Sequence, residues 1–485
     1  MDDPSRGPSS IRRKNIGLAS IVAITFFNVC GGAFGSEEIV ASCGPLIGLA
    51  SIVLFSGLIS LPIAAVTAEL STAFPNDGGY SIWVTEAFGE FWGVQESYWS
   101  LTSGIVDNAI YPVLIVDVAA KIVPVLAEAS TVQIYVLRLL LAALFTVPNL
   151  MSLKYVGSIL QKLCILVTIP FAIMIVLALP GAEVSRLKTV RPNPRWRQLI
   201  SVLFWNLNGY DCISTCAGEI KKPQKNLPSG LLLAIVLVVL TYVLPLAAAV
   251  AWDGPVGDHR GLRWEEWTDG SFSTIATAIG GIHLGFAFGV AAIVGNCGMF
   301  VAELLEDSYQ LYGMARTNLA PACFGRLHRY SKTPVRAILF LLLIIAVLIV
   351  LDFQSLLIVD NFFSCASLIL EMAAGVRLRF SMPDDVLPRP YRVPLSAAGL
   401  CVVLSPAFLV GSAVLLNEVT KSAIHTAFNC SGLALGVAVY YMYRKNRRNG
   451  YQTPRLGPIG KSEREPILSR GPSKARTMSE FLLDG

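Results

Sequence analysis

Residues 29–38 read VCGGAFGSEE and interrupt two apolar runs, NIGLASIVAITFFNVC before and IVASCGPLIG after. Glycine weakens a helix and permits backbone conformations that other residues avoid. In lipid an unwound backbone is tolerated only where its freed N–H and C=O groups line a cavity or meet a ligand. A second apolar stretch, LFWNLNGYDCISTCAGE at 203–219, is broken in the same way by Asn206, Asn208, Gly209 and Asp211. Two broken helices five spans apart are the pattern of two inverted five-helix repeats that hold a ligand between the breaks, near mid-membrane.

The rest of the chain fits that setting. It has 485 residues, 54% hydrophobic and 15% charged, with a mean hydropathy of +0.60. Such values exclude an ordinary soluble enzyme with a charged surface. A window of ~20 residues gives about twelve spans, near 16–43, 46–73, 92–124, 131–150, 154–180, 197–219, 229–251, 275–312, 335–351, 354–377, 395–417 and 421–443. The expected class is an all-α polytopic membrane protein. Residues 1–15 are polar and are expected to carry no cleavable leader, and 444–485 read as a disordered basic tail rich in Pro, Gly and Ser. The ten cysteines lack CxxC or zinc-ligand spacing and the four histidines are scattered, so no metal site or cofactor is expected.

An even number of spans and the Arg12–Arg13–Lys14 flank place both termini in the cytosol. Segment 313–336, with Arg316, Arg326, Arg329, Lys332 and Arg336 and no acid, agrees, as does the acid-rich loop 252–270 on the other side. Two segments oppose the rule: 181–197, expected outside, holds five basic residues, and 75–91, expected inside, holds none. The net charge of +5 reflects topology and points away from nucleic acid.

Ionisable groups inside spans are costly and mark function. They are mostly acidic: Glu69, Asp107, Asp117, Asp211, Glu303, Glu306, Asp307 and Glu371. Asp107 and Tyr111 share a helix face at i and i+4, beside Asn108, and Glu303 and Asp307 repeat the spacing. A cavity bordered by carboxylates favours a cation, and the faces of Tyr111, Trp205 and Tyr210 add cation–π attraction. An organic amine is the cargo this predicts. Glu69, Glu306, Asp307 and Glu371 have a second reading, as partners at helix ends. Lys162 either exchanges a proton in a buried setting or snorkels to the membrane surface.

Several stretches, in order from 16 to about 443, resemble the amino acid–polyamine–organocation transporters, and within them the polyamine-uptake branch related to plant L-type amino acid permeases. They are GGAFGSEEIVASCGPL, TAELSTAFPNDGGYSIWV, SGIVDNAIYPVLIVD, FWNLNGYDCISTCAGEIKKPQKNLP, GMFVAELLEDSYQLYGMARTNLAP and NFFSCASLILEMAAG. The resemblance implies a LeuT-like fold working by alternating access: repeats at 16–180 and 181–377, then two helices at 395–443. It implies cargo contacts from the backbone of Gly31, Gly32, Ala33, Phe34 and Gly35, and from Asn108 and Tyr111 with Asp107 as acidic neighbour. It makes Trp205 an aromatic gate and Asp211 the acid after the second break. Glu303 stands where several amino acid exchangers carry an aromatic residue, a departure that favours a second amine on the cargo. Lys162 falls at a fifth-helix lysine that replaces sodium in proton-coupled relatives.

The resulting expectation is a plasma-membrane importer of putrescine or spermidine driven by protons, with Lys162, Asp211 and Glu69 as coupling candidates. A permease for basic or large neutral amino acids is the alternative; it would use the freed N–H groups of residues 31–35 for the cargo carboxylate. A nutrient receptor or structural subunit is the alternative outside transport.

Overall fold

The computed structural model describes residues 14–122, 124–252, 263–421 and 423–448. Most of both expected tails and part of the acidic loop lie outside these residues. Sixteen α-helices follow in order: α1 (Leu18–Val29), α2 (Glu37–Cys43), α3 (Pro45–Phe55), α4 (Leu61–Ala73), α5 (Tyr80–Phe88), α6 (Glu90–Ile122), α7 (Pro124–Ala127), α8 (Thr131–Leu150), α9 (Leu153–Ala178), α10 (Trp196–Leu207), α11 (Pro223–Ala251), α12 (Ser271–Arg316), α13 (Val335–Leu348), α14 (Phe353–Ser381), α15 (Ala397–Lys421) and α16 (Ala423–Arg448). A π-turn at Ser56–Ser60 joins α3 to α4, and a 3₁₀ helix at Cys212–Glu219 follows α10. Among the described residues there is no strand, only isolated bridges such as Ile16 with Ile220.

Among the described residues, eight helical segments are long and apolar enough to cross a bilayer, and α1 and α13 are shorter apolar helices. Each expected span coincides with a helix or a broken pair. Helix α12, at 46 residues, is far longer than the ~20 that hydrocarbon requires. It kinks at Gly281, which has φ 78° and ψ −178°. Helix α6 packs against both α12 and α14, while α1 packs against α9, α11 and α12. Leucine and isoleucine side chains on α8 and α9, such as Leu140, Leu144, Ile165 and Ile169, are exposed, as expected of helices facing hydrocarbon.

Both segments that oppose the charge rule have structural jobs. Arg191 donates to the Ala41 carbonyl at 2.5 Å and Arg195 to the same oxygen at 3.2 Å, at the C-terminal end of α2. Arg186 does likewise for Trp252 at 2.6 Å, just past α11. Cations here satisfy helix-end carbonyls and oppose the negative end of the dipole. Segment 75–91 is no free loop: it holds α5, a helix absent from the expected spans, whose residues Tyr80 to Val84 are buried. Gly78 N donates to the Thr215 carbonyl at 2.9 Å, tying this segment to the 3₁₀ helix.

Candidate functional site

The two breaks are built differently. Between α1 and α2 the chain turns through Gly32 (φ 112°) and Gly35 (φ 80°). A Cβ on Gly31 would lie 2.4 Å from Met299 Sδ, and one on Gly295 would lie 2.0 Å from the Gly31 carbonyl oxygen, so α12 presses directly on this turn. Phe34 stacks edge-on against Phe171 and Phe288, with centroids 5.1 and 6.2 Å away. The glutamates that follow open α2 and dock it. Both lie in its first turn, where a carboxylate opposes the positive helix end; Glu37 accepts from Phe272 N at 3.2 Å and Glu38 from Gln198 Nε2 at 2.9 Å.

After α10 the chain is extended at Asn208 and left-handed at Gly209 (φ 101°) before the 3₁₀ helix begins. A Cβ on Gly209 would come within 2.3 Å of the Asn28 carbonyl; glycine is what lets this break close over the last turn of α1. The break opens into a chamber bordered by α6, α12 and α14.

Three helices supply its acidic wall, each with polar residues at i, i+3 or i+4 spacing, which places them on one face. Helix α6 contributes Ser100, Ser103, Gly104 and Asp107; α12 contributes Glu303, Glu306 and Asp307; α14 contributes Asp360, Ser364, Ser367 and Glu371. With Asp211 from the break, seven carboxylates line the chamber, and among the described residues no lysine, arginine or histidine does. Neutral donors hold several of them. Tyr80 Oη donates to Glu306 at 2.9 Å, Asn108 Nδ2 to Asp307 at 2.9 Å, Tyr111 Oη to Asp107 at 2.5 Å, Ser103 Oγ to Asp360 at 2.5 Å and Ser367 Oγ to Glu371 at 3.0 Å. A Cβ on Gly104 would meet Asp307 Oδ1 at 2.0 Å, so that glycine makes room for the carboxylate. Other oxygens have no hydrogen-bond partner in the structure: Asp107 Oδ1, Asp211 Oδ1, Glu306 Oε2 and Glu371 Oε2, as well as both polar atoms of Asn28. Orphaned acceptors in a buried chamber call for a cationic or proton-donating guest.

Of the residues singled out from sequence, Asp107, Trp205, Asn208, Asp211, Glu303, Glu306, Asp307 and Glu371 line this chamber. Gly31, Phe34, Gly35 and Asn206 line a second, less acidic cavity with Asp269, Tyr242 and Asn296. Trp205 borders both spaces. Gly32 packs against Val167 and Phe171, and Ala33 and Tyr210 are buried. Asn108 and Tyr111 stand behind the wall, each bonded to one of its carboxylates. Lys162 is on the exposed face of α9 and lines neither cavity. Glu69 lies outside both cavities: its carboxylate meets Arg379 through two hydrogen bonds, Arg389 Nε at 3.1 Å and Val393 N at 2.8 Å. Asp117 pairs with Arg138 at 2.8 Å.

Sequence reasoning passed over Asp360, Asn28 and Tyr80. The signal for Asp360 was present, since 360, 364, 367 and 371 form one polar stripe along α14. Asn28 and Tyr80 had none: one is the last polar residue before a break, the other belongs to a helix hidden in a loop.

A helical bundle of this length, with polar groups converging beside two broken helices, has the make-up of an integral-membrane transporter. The profile of the amino acid permease family matches residues 16–438, and the chain belongs to that family. It is 35% identical over 461 residues to Polyamine transporter PUT1 of Oryza sativa subsp. japonica, spanning 95% of this chain and 85% of the relative. Polyamine transporter RMV1 of Arabidopsis thaliana is 34% identical over 442 residues, 89% of this chain and 87% of its own. The gamma-aminobutyric acid permease of Escherichia coli (strain K12) is more distant, at 23% over 346 residues, 67% of this chain and 68% of the relative.

Proposed function

We propose that this permease imports polyamines of the putrescine and spermidine class by proton symport and alternating access. One observation carries the reading: seven carboxylates and no basic side chain line a buried chamber, among the described residues. A cargo with two or three ammonium groups neutralises part of that charge and gives the orphaned oxygens of Asp107, Asp211, Glu306 and Glu371 their donors. Hydrogen bonds to charged groups contribute ~1.5–3 kcal/mol each, so a second amine adds roughly one to two decades of affinity. The names of the two plant relatives support the same class. An amino acid cargo fits less well, because its carboxylate would share this chamber with seven others; the freed backbone at Gly31 and Gly35 faces the second cavity.

In this reading one amine sits between Asp211 and Asn208 at the second break and another between Asp107, Glu303 and Asp360. Trp205, shared by both cavities, separates them as the gate. The two breaks belong to inverted repeats at 16–180 and 181–377, with 395–443 added outside them; both termini face the cytosol of a plasma-membrane protein. Of the three coupling candidates, Asp211 alone lines the chamber. Its proton would compete with the cargo amine for the same oxygens, which biases the cycle through differential binding.

Uptake by vesicles reconstituted with the full chain tests this, with labelled putrescine, spermidine, arginine and leucine, with and without an inward proton gradient. The reading expects accumulation of the two polyamines that is increased by the gradient. Transport of arginine or leucine with neither polyamine carried would overturn it.

A further inference from the structure

Cys212 is the one cysteine on the chamber wall among the described residues, and the function above gives it no task. It opens the 3₁₀ helix directly after the second break. Glu303 and Glu306 face it from α12, and one ligand atom from each of the three lies within 4.8 Å of the other two. A tetrahedral zinc site with Zn–S near 2.3 Å and Zn–O near 2.0 Å has ligand edges of roughly 3.3–3.5 Å. Small side-chain rotations therefore close the gap, and all three residues line the chamber. A second feature points to a ligand independently: Glu306 is 4% exposed, lines the chamber, and its Oε2 has no hydrogen-bond partner. Asp211 Oδ1, on the residue next to Cys212, is in the same condition.

We propose that Cys212, Glu303 and Glu306 form a binding site for a borderline-soft divalent cation of the zinc and cadmium class, with Asp211 or water in the fourth position. The mixture of one sulfur and carboxylate oxygens suits these ions better than magnesium or calcium, which take oxygen ligands alone. On binding, the thiol yields its proton to water and the sulfur donates an electron pair to the metal; nothing is oxidised or reduced. The spacing rules for zinc motifs miss this site because its ligands come from two elements 91 residues apart, counting from Cys212 to Glu303. A metal held there occupies the chamber and excludes an organic cation. The metal site depends on the geometry of the chamber and not on the identity of its cargo, so a failure of polyamine uptake leaves it standing.

The test is a titration of the full chain in lipid nanodiscs with Cd²⁺, followed by the cadmium–thiolate charge-transfer absorbance, with Zn²⁺ added afterwards as competitor. The wild type and Cys216→Ser, one turn further along and outside the chamber, should develop the band, and Zn²⁺ should bleach it. Cys212→Ser should abolish it, and Glu303→Gln and Glu306→Gln should each weaken the apparent affinity about tenfold or more. Should Cys212→Ser fail to fold, the two glutamine variants carry the test, their melting transitions showing that they are folded. A band of unchanged affinity in Cys212→Ser, or in both glutamine variants, overturns the proposal.

Discussion

Glu69 and Asp307 are equally buried, each 2% exposed, yet they stand for two solutions to the same electrostatic problem. Around Glu69 the protein supplies the counter-charge itself: Arg379 from α14, Arg389 from the following loop, and the Val393 amide. Around Asp307 it supplies only neutral Asn108, and the surrounding wall carries six further carboxylates. An acid in a membrane span therefore does not mark a site by burial alone. What marks it is a counter-cation that the fold withholds and the guest must bring.

Breaking the first solution should have the largest effect. Glu69→Ala leaves the buried Arg379 guanidinium without its carboxylate and Arg389 with Asp384 alone, and removal of one partner from a buried pair costs about 3–5 kcal/mol. The expected outcome is a sharp loss of folded protein in detergent, seen as early aggregation in size-exclusion thermal scans. If Glu69→Ala keeps its stability but loses uptake, Glu69 belongs with the chamber and the comparison fails.

Glu303→Gln should do the reverse. Losing one charge-assisted contact, worth about 1.5–3 kcal/mol, lowers uptake efficiency for spermidine by ~10–150-fold while the melting transition stays near that of the wild type. Equal uptake would remove Glu303 from the cargo wall.

A third kind of carboxylate sharpens the contrast. Asp352 caps α14 at the surface, accepting from Ser355 N at 3.0 Å and Ser355 Oγ at 2.6 Å. These bonds hold its carboxyl below the usual range. Asp352→Ala should cost about 1 kcal/mol. Because the folded pKa is depressed, that contribution is present above the unfolded value, ~3.9, and is lost as pH falls through the folded one. Thermal scans from neutral pH down to about pH 3 should show wild type and variant converging; a constant gap would contradict the capping role. The smallest effect is expected at Lys162. On the exposed face of α9, Lys162→Met should shift stability by less than ~0.5 kcal/mol and leave the gradient dependence of uptake intact.

These distinctions set what could be read from the chain alone. Hydropathy and interruptions located the spans and both breaks because lipid imposes them locally: a glycine or an asparagine in an apolar run frees backbone groups that only a cavity, a ligand or a neighbouring helix can satisfy. The pairing of charges is not local. Glu69 meets Arg379 across 310 positions, and no spacing rule joins them, so it stood in sequence beside Asp211 as a coupling candidate. VCGGAFGSEE shows the same limit. Its glycines did announce a break, but whether the turn faces a cavity or a neighbour depends on Gly295 and Met299, which press on it from α12. The stripe of Asp360, Ser364, Ser367 and Glu371 was legible by periodicity, with Asp360 about two turns into α14.

Binding of a charge ladder by the full chain in nanodiscs tests the central claim most directly, using butylamine, putrescine and spermidine measured by calorimetry at fixed ionic strength. A chamber that withholds its own counter-cations should bind more tightly with each added ammonium group, by roughly tenfold or more per step, and Asp307→Asn should flatten the ladder. Butylamine bound as tightly as spermidine would contradict the account.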